Sequence, residues 1–158
     1  MANIDAIVQS TPGSINEGAL QKREYTFRFQ DIIDAGTYAD DDTYTAQIPV
    51  FAGEKVVNVG ANLVTAFDDS GSGSTLTLVA GDGADADGYL TSAELHADGT
   101  EISTVADTGA FVVGGSGARG KLYTSDDTID IVLTPSSYNF GELTQGEAVV
   151  TAYVAKFA

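Results

Sequence analysis

The densest grouping of side chains able to do chemistry runs Gly83-Ala84-Asp85-Ala86-Asp87-Gly88-Tyr89-Leu90-Thr91-Ser92-Ala93-Glu94. Set against the calcium loop of an EF-hand, it has acids at the third and fifth positions and glycine at the sixth. An apolar residue follows at the eighth, an oxygen-bearing Thr91 at the ninth and a glutamate at the twelfth. The first position is Gly83, with Asp82 one residue early, and Leu76 to Val79 reads as a strand where that motif carries a helix. Calcium takes six to eight oxygens, so a missing first carboxylate removes a central ligand. Two readings follow. One is a calcium site of altered geometry with Asp82, Asp85, Asp87 and Glu94 as ligands; the other is an Asp/Gly turn on an acidic surface, with no cofactor at all.

Other chemistries have less to build on. The chain has no cysteine and a single histidine, His96, which removes thiolate metal sites and leaves nucleophilic triads and most zinc sites without their usual parts. His96 is expected to be an exposed loop or turn residue. Gly115-Ser-Gly117-Ala-Arg-Gly120 has the spacing of a dinucleotide fingerprint. Lys121 to Tyr123 reads as another strand, however, where that motif opens a helix, so a flexible hairpin loop is expected. Paired carboxylates could run glycoside hydrolysis if apolar burial raised the pKa of one of them. There is no tryptophan, and the acids sit in Gly/Ser/Asp turns where water should reach them, so no enzyme activity is expected.

The elements that must position these residues are strands. Tyr25, Phe27 and Phe29 alternate with Glu24, Thr26, Arg28 and Gln30, and Tyr44, Ala46, Ile48 and Val50 repeat the alternation. Val57, Val59, Ala61 and Leu63 do so with Asn58 and Asn62 facing away, Ile129, Ile131 and Leu133 do so around Asp130, and Leu76 and Leu78 form a shorter example. A period of two is the mark of a half-buried strand. From Ala148 to Phe157 both faces are apolar, which predicts an inner strand covered on both sides. Turn chemistry separates the runs: Asp40-Asp41-Asp42, Asp68-Asp69-Ser70-Gly71, Asp98-Gly99, Gly114 to Gly117, Ser125-Asp126-Asp127 and Asn139-Phe140-Gly141. The pattern predicts an all-β fold, an antiparallel β-sandwich of jelly-roll or immunoglobulin-like type. The only plausible helix lies around Thr91 to Ala97.

Length and charge bound the partners. At 158 residues one domain with one core is expected. Seven Lys and Arg stand against 23 Asp and Glu, a net charge of −16, which repels phosphate backbones and anionic lipid. Neither nucleic acid nor a membrane is an expected partner, and neither a secretory signal nor a run of about 20 apolar residues is visible. Residues 1–30 hold Lys22, Arg23 and Arg28 against Asp5, Glu17 and Glu24, so the whole excess lies on residues 31–158. Residues 1–23 mix Pro12, Gly13 and Gly18 with scattered apolar side chains and show neither period. They read either as an extended N-terminal arm that docks on a partner or as a loose leader to a first strand, with residues 24–158 forming the sandwich domain. In the docking reading, the contacts are Ile4, Ile7, Val8, Ile15, Leu20, Lys22 and Arg23, since a neutral arm meets no net repulsion.

Val59-Gly-Ala-Asn-Leu-Val-Thr-Ala-Phe67, Ser74-Thr-Leu-Thr-Leu-Val79 and Ala80-Gly-Asp-Gly-Ala-Asp-Ala-Asp-Gly-Tyr-Leu90 together resemble a recurrent pattern in small virion structural proteins of tailed bacteriophages. There, a strand ending in Ala-Phe leads through a Gly/Ser turn to a second strand and an Asp-rich turn. The resemblance implies a capsid decoration, or cement, protein: β-rich, often a homotrimer, seated on the outer face of the capsid shell between subunits of the major capsid protein. A molecule that works by binding is also what the catalytically bare residue set suggests. The alternative from another class is a calcium-dependent adhesin or glycan-binding module, including a tail-fibre or neck component, with the Asp82 to Glu94 loop holding the ion. A carboxylate glycosidase is the third.

Overall fold

Alternation places Tyr44, Ala46, Ile48 and Val50 on one side of β2 (Tyr44–Val50) and Ile129, Ile131 and Leu133 on one side of β8 (Asp127–Ser136), and all seven are buried. Ile48, Val50, Ile129, Ile131 and Leu133 contribute roughly 1.5–3 kcal/mol each when fully buried. The two strands pair antiparallel, with Ile48 opposite Ile129 and Ala46 opposite Ile131. They belong to a computed structural model that describes residues 20–73, 75–98, 104–105, 108–113 and 119–156. The expected arm residues Ile4, Ile7, Val8 and Ile15, and the Gly114 to Gly117 loop, lie outside the described residues.

The remaining strands are β1 (Leu20–Arg28), β3 (Glu54–Asp69), β4 (Thr75–Gly81), β5 (Leu90–Glu94), β6 (Thr104–Val105), β7 (Lys121–Leu122) and β9 (Leu143–Lys156). One sheet runs β1-β9-β3-β6 with β7 also on β3, and the other runs β2-β8-β4-β5. All ladders are antiparallel. The inward faces meet in one core that includes Phe27, Val59, Phe67, Leu76, Leu78, Ile131 and Val150. This is the antiparallel β-sandwich that the period of two predicts. With β7 set aside the pairing is nested: first strand with last, second with next to last, β3 with β6, and β4 with β5 innermost. Among the described residues no helix is long and apolar enough to cross a membrane.

Five local expectations need correction. The aromatic alternation stops at Arg28, and Phe29–Ala35 forms a helix, α1, which buries Ile32 and is braced by a Gln30 to Asp34 hydrogen bond one turn on. The segment around Thr91 forms no helix, because β5 makes a ladder on β4 with Ala93 opposite Leu78. Val57 does not share a face with Val59: a bulge between Val56 and Asn58 shifts the register, and Val56 takes the buried position. β9 is central in its sheet, with one side buried from Gly146 to Val154 and the other, apart from Leu143 and Ala155, open at least in part. Ala148, Val150, Ala152 and Val154 are buried, while Val149 and Thr151 are half-buried and Tyr153 is exposed. Lastly, β1 begins at Leu20, so Leu20, Lys22 and Arg23 belong to the sandwich: Leu20 pairs with Ala155, Lys22 with Tyr153 and Arg23 with Ala152.

β9 also passes close over the core. Gly146 has φ +141°, and a Cβ there would lie 2.2 Å from Phe67 Cδ1, so only glycine lets the strand cross that ring. At the other end of the sandwich, Gly88 lets the Phe111 ring of α2 (Ala110–Val113) lie on its backbone, 2.2 Å from where a Cβ would be.

Candidate functional site

No three of the four carboxylates in the Asp-rich loop come together. Asp82, one residue past β4, turns inward and has a fully buried side chain. Its Oδ2 takes the Lys121 ammonium and a hydrogen bond from the Tyr123 hydroxyl at 2.8 Å, while Oδ1 accepts from the amides of Ala84 and Asp85. Tyr123 spends its proton on Asp82, so in their 2.9 Å contact the Tyr89 hydroxyl donates and Tyr123 accepts. Burial alone would push the Asp82 carboxyl up. The Lys121, Tyr123 and amide hydrogen bonds outweigh it and hold the group below the usual carboxylate range. Burial pushes both tyrosines up, so they stay protonated donors. The Lys121 ammonium lies 4.3 Å from the Phe111 ring centroid, a cation–π contact that closes the network.

Glu94 faces away from that loop and accepts from the amides of Leu76 and His96 at 2.7 and 2.9 Å. Asp87 is exposed, and its hydrogen bond with Asp85 raises its carboxyl above the usual range. The loop therefore divides its acids between two structural tasks and a surface pair.

His96 is not exposed. A parallel bridge to Phe67 draws it beneath the end of β3, where it is fully buried, and its Nε2 lies 3.1 Å from Asp69 Oδ1. Asp69 Oδ2 accepts from the Gly71 and Gly73 amides. Burial would raise the Asp69 carboxyl, but those amides and His96 hold it below its ordinary value. Water does not reach Asp69 or Asp82, contrary to the expectation from their turn sequences; each is instead saturated by protein donors.

Asp68, Asp69 and His96 offer ligand atoms within 4.8 Å of one another, and their chemistry can be tested against a metal. The Asp98 amide donates to His96 Nδ1 at 3.1 Å, so the neutral ring carries its proton on Nε2 and donates it to Asp69. A metal at Nε2 would need a lone pair there and a proton on Nδ1, against the Asp98 N–H. The same logic removes a general base, since neither ring nitrogen is free to take a proton from a nucleophile. The arrangement is a turn lock. The Tyr138 ring lies over it, 5.5 Å from the imidazole, with its hydroxyl buried and without a hydrogen-bond partner among the described residues.

The third buried polar group is Arg23 with Glu54, paired at 2.6 and 2.8 Å through both guanidinium nitrogens, with Arg23 also donating to the Pro49 carbonyl. Burial would raise Glu54; Arg23 and the Phe51 amide hold it below the carboxylate range. Arg23 was open to the sequence, because it has the inward parity of Tyr25 and Phe27. Nothing local marks Glu54 or His96. The buried carboxylates Glu54, Asp69 and Asp82 are all depressed, the opposite of what a glycosidic general acid requires.

No family model matches the sequence and no curated protein matches it. Among solved structures, the fold is similar to that of a chain in the capsid asymmetric unit of Cyanophage Pam1, with a TM-score of 0.58 over 99% of this chain and 97% of that chain. The two are 18% identical in sequence, so the likeness is one of fold.

Proposed function

We propose that this chain is a bacteriophage capsid decoration protein, which binds the outer face of the shell on the major capsid protein and stabilises it. The observation that carries this reading is the end-to-end fold likeness to a chain of a phage capsid asymmetric unit. The nested strand order adds to it: we read it as a jelly-roll winding, a fold used in viral capsid domains. The polar chemistry fits as well, because the three buried networks lock turns and sheets together and occupy the carboxylates of Glu54, Asp69 and Asp82 with protein donors.

The mechanism is mass action. A ligand that binds only the assembled shell shifts the equilibrium toward assembly by RT ln(1 + [L]/Kd), and repetition over symmetric copies multiplies a weak contact. The test is cosedimentation of the purified chain with emptied heads of its own phage that have been stripped of it. Saturable pelleting and a higher temperature of head disruption are expected. Heads that neither retain the protein nor gain heat resistance would overturn the reading.

A further inference from the structure

Three of the five large apolar side chains exposed among the described residues lie on the outward face of the five-stranded sheet: Leu20 (61% exposed), Leu122 (54%) and Tyr153 (39%). The register puts Leu20, Ala155, Lys55 and Leu122 in one row across β1, β9, β3 and β7, with Tyr153 two residues along β9 beside Lys22 and Asn58. Monomeric soluble proteins seldom leave large apolar side chains grouped in this way.

Charge indicates what covers them. Copies of a chain at −16 repel one another, so any contact between copies must use surface where acid is not in excess. Much of the described acid is in loops, at Asp40 to Asp42, Asp82 to Asp87, Asp98 and Asp126. The outward face of the five-stranded sheet holds Lys22, Arg28 and Lys55 against Glu24 and Glu147, and these alternate: Lys22 sits on Glu24 at 2.5 Å and Arg28 on Glu147 at 3.8 Å. A face with both signs in neighbouring rows is complementary to itself when turned about a two-fold axis. The opposite sheet's outward face has Asp130 and Glu94, no cation, and threonines such as Thr45, Thr77 and Thr134. Two such faces would set like charges together.

We propose that the outward face of the five-stranded sheet, centred on Leu20, Tyr153 and Leu122, is the surface through which a second copy of this chain binds. Burying Leu20, Tyr153 and Leu122 removes them from water, and exchanged Lys–Glu pairs set the register. This contact stands apart from attachment to a capsid, and its test needs no capsid.

The full chain is sedimented at about 1 to 100 µM, and Leu122→Glu with Tyr153→Glu is compared with Thr77→Glu on the opposite sheet. The wild type and Thr77→Glu should form a species of more than one copy, and the double variant should dissociate at least tenfold more readily while keeping its far-ultraviolet dichroism. A wild type that stays a single copy at 100 µM would overturn the proposal, as would an oligomer indifferent to the double substitution. Should the double variant lose its dichroism, Lys22→Glu with Lys55→Glu decides on the same terms: a tenfold loss supports the face and none removes it. Failure of head binding with this oligomer intact would count against the capsid reading alone.

Discussion

Lys121 of β7 and Asp82, one residue beyond β4, form an ion pair that ties the five-stranded sheet to the four-stranded one. Lys121 stands opposite Val56, an inward position of its sheet, so its stem crosses the interior edge of the sandwich before the ammonium meets the carboxylate. Tyr123, Tyr89 and two amides complete the same network. The joint is thus a hydrogen-bonded hub, with Asp82 as its common acceptor.

Replacing that acceptor should be costly. Asp82→Ala leaves the Tyr123 hydroxyl and the Lys121 ammonium without their partner, and the expected loss is about 3 kcal/mol. Denaturant unfolding reads it as a lower midpoint at constant m. A loss below about 1 kcal/mol would show that the network relaxes onto water.

Acid should weaken the fold in a defined direction. Glu54, Asp69 and Asp82 all have folded pKa values below their ordinary ones. Their contribution is complete above the unfolded values of about 3.9–4.3 and is lost as pH falls through the folded values. Melting temperature should hold near its plateau down to about pH 5 and drop steeply below pH 4. In Asp82→Asn the drop should be shallower, and a wild-type curve flat to pH 2.5 would contradict the assignment.

Tyr138→Phe should stabilise. The hydroxyl is buried without a partner among the described residues, so its removal spares a desolvation penalty and keeps the ring over His96. A gain of about 1 kcal/mol is expected by calorimetry or denaturant titration. A loss of that size would reveal a hydrogen bond to the hydroxyl.

Metal ions should find no home at the buried clusters. His96 Nε2 carries a proton, and Asp82 and Glu94 are occupied by protein donors. Cobalt(II) in tenfold excess should give no tetrahedral ligand-field bands, and neither calcium nor chelator should move the melting temperature by more than about a degree. An intense cobalt band would mean that the Asp98 amide yields its place on Nδ1.

The sandwich was legible because its strands advertise themselves by parity: Tyr44 to Val50 and Ile129 to Leu133 alternate without interruption, and both are buried as written. Parity failed where geometry inserts a residue, as at Val57, since a bulge leaves no mark in local composition. It also misled at β9, where apolar residues on both faces suggested two-sided cover and Tyr153 proved exposed. The Asp-rich loop was visible as a cluster, but the fates of its members were not. Asp82 turns inward to a lysine 39 residues away, and Glu94 to the amides of Leu76 and His96. His96 was misplaced for the same reason: its burial depends on Phe67 and Asp69, nearly thirty residues earlier.

The ladder between Leu20–Arg28 and Leu143–Lys156 sets a timetable for biosynthesis. The earliest described strand has its ladder partner at the far end of the chain. At about 5–20 residues per second the ribosome releases that partner roughly ten seconds later. Until then Tyr25 and Phe27 have no ladder to join, so the sandwich cannot close before Leu143–Lys156 has been made, and a message cut short ahead of that strand would leave β1 without its partner.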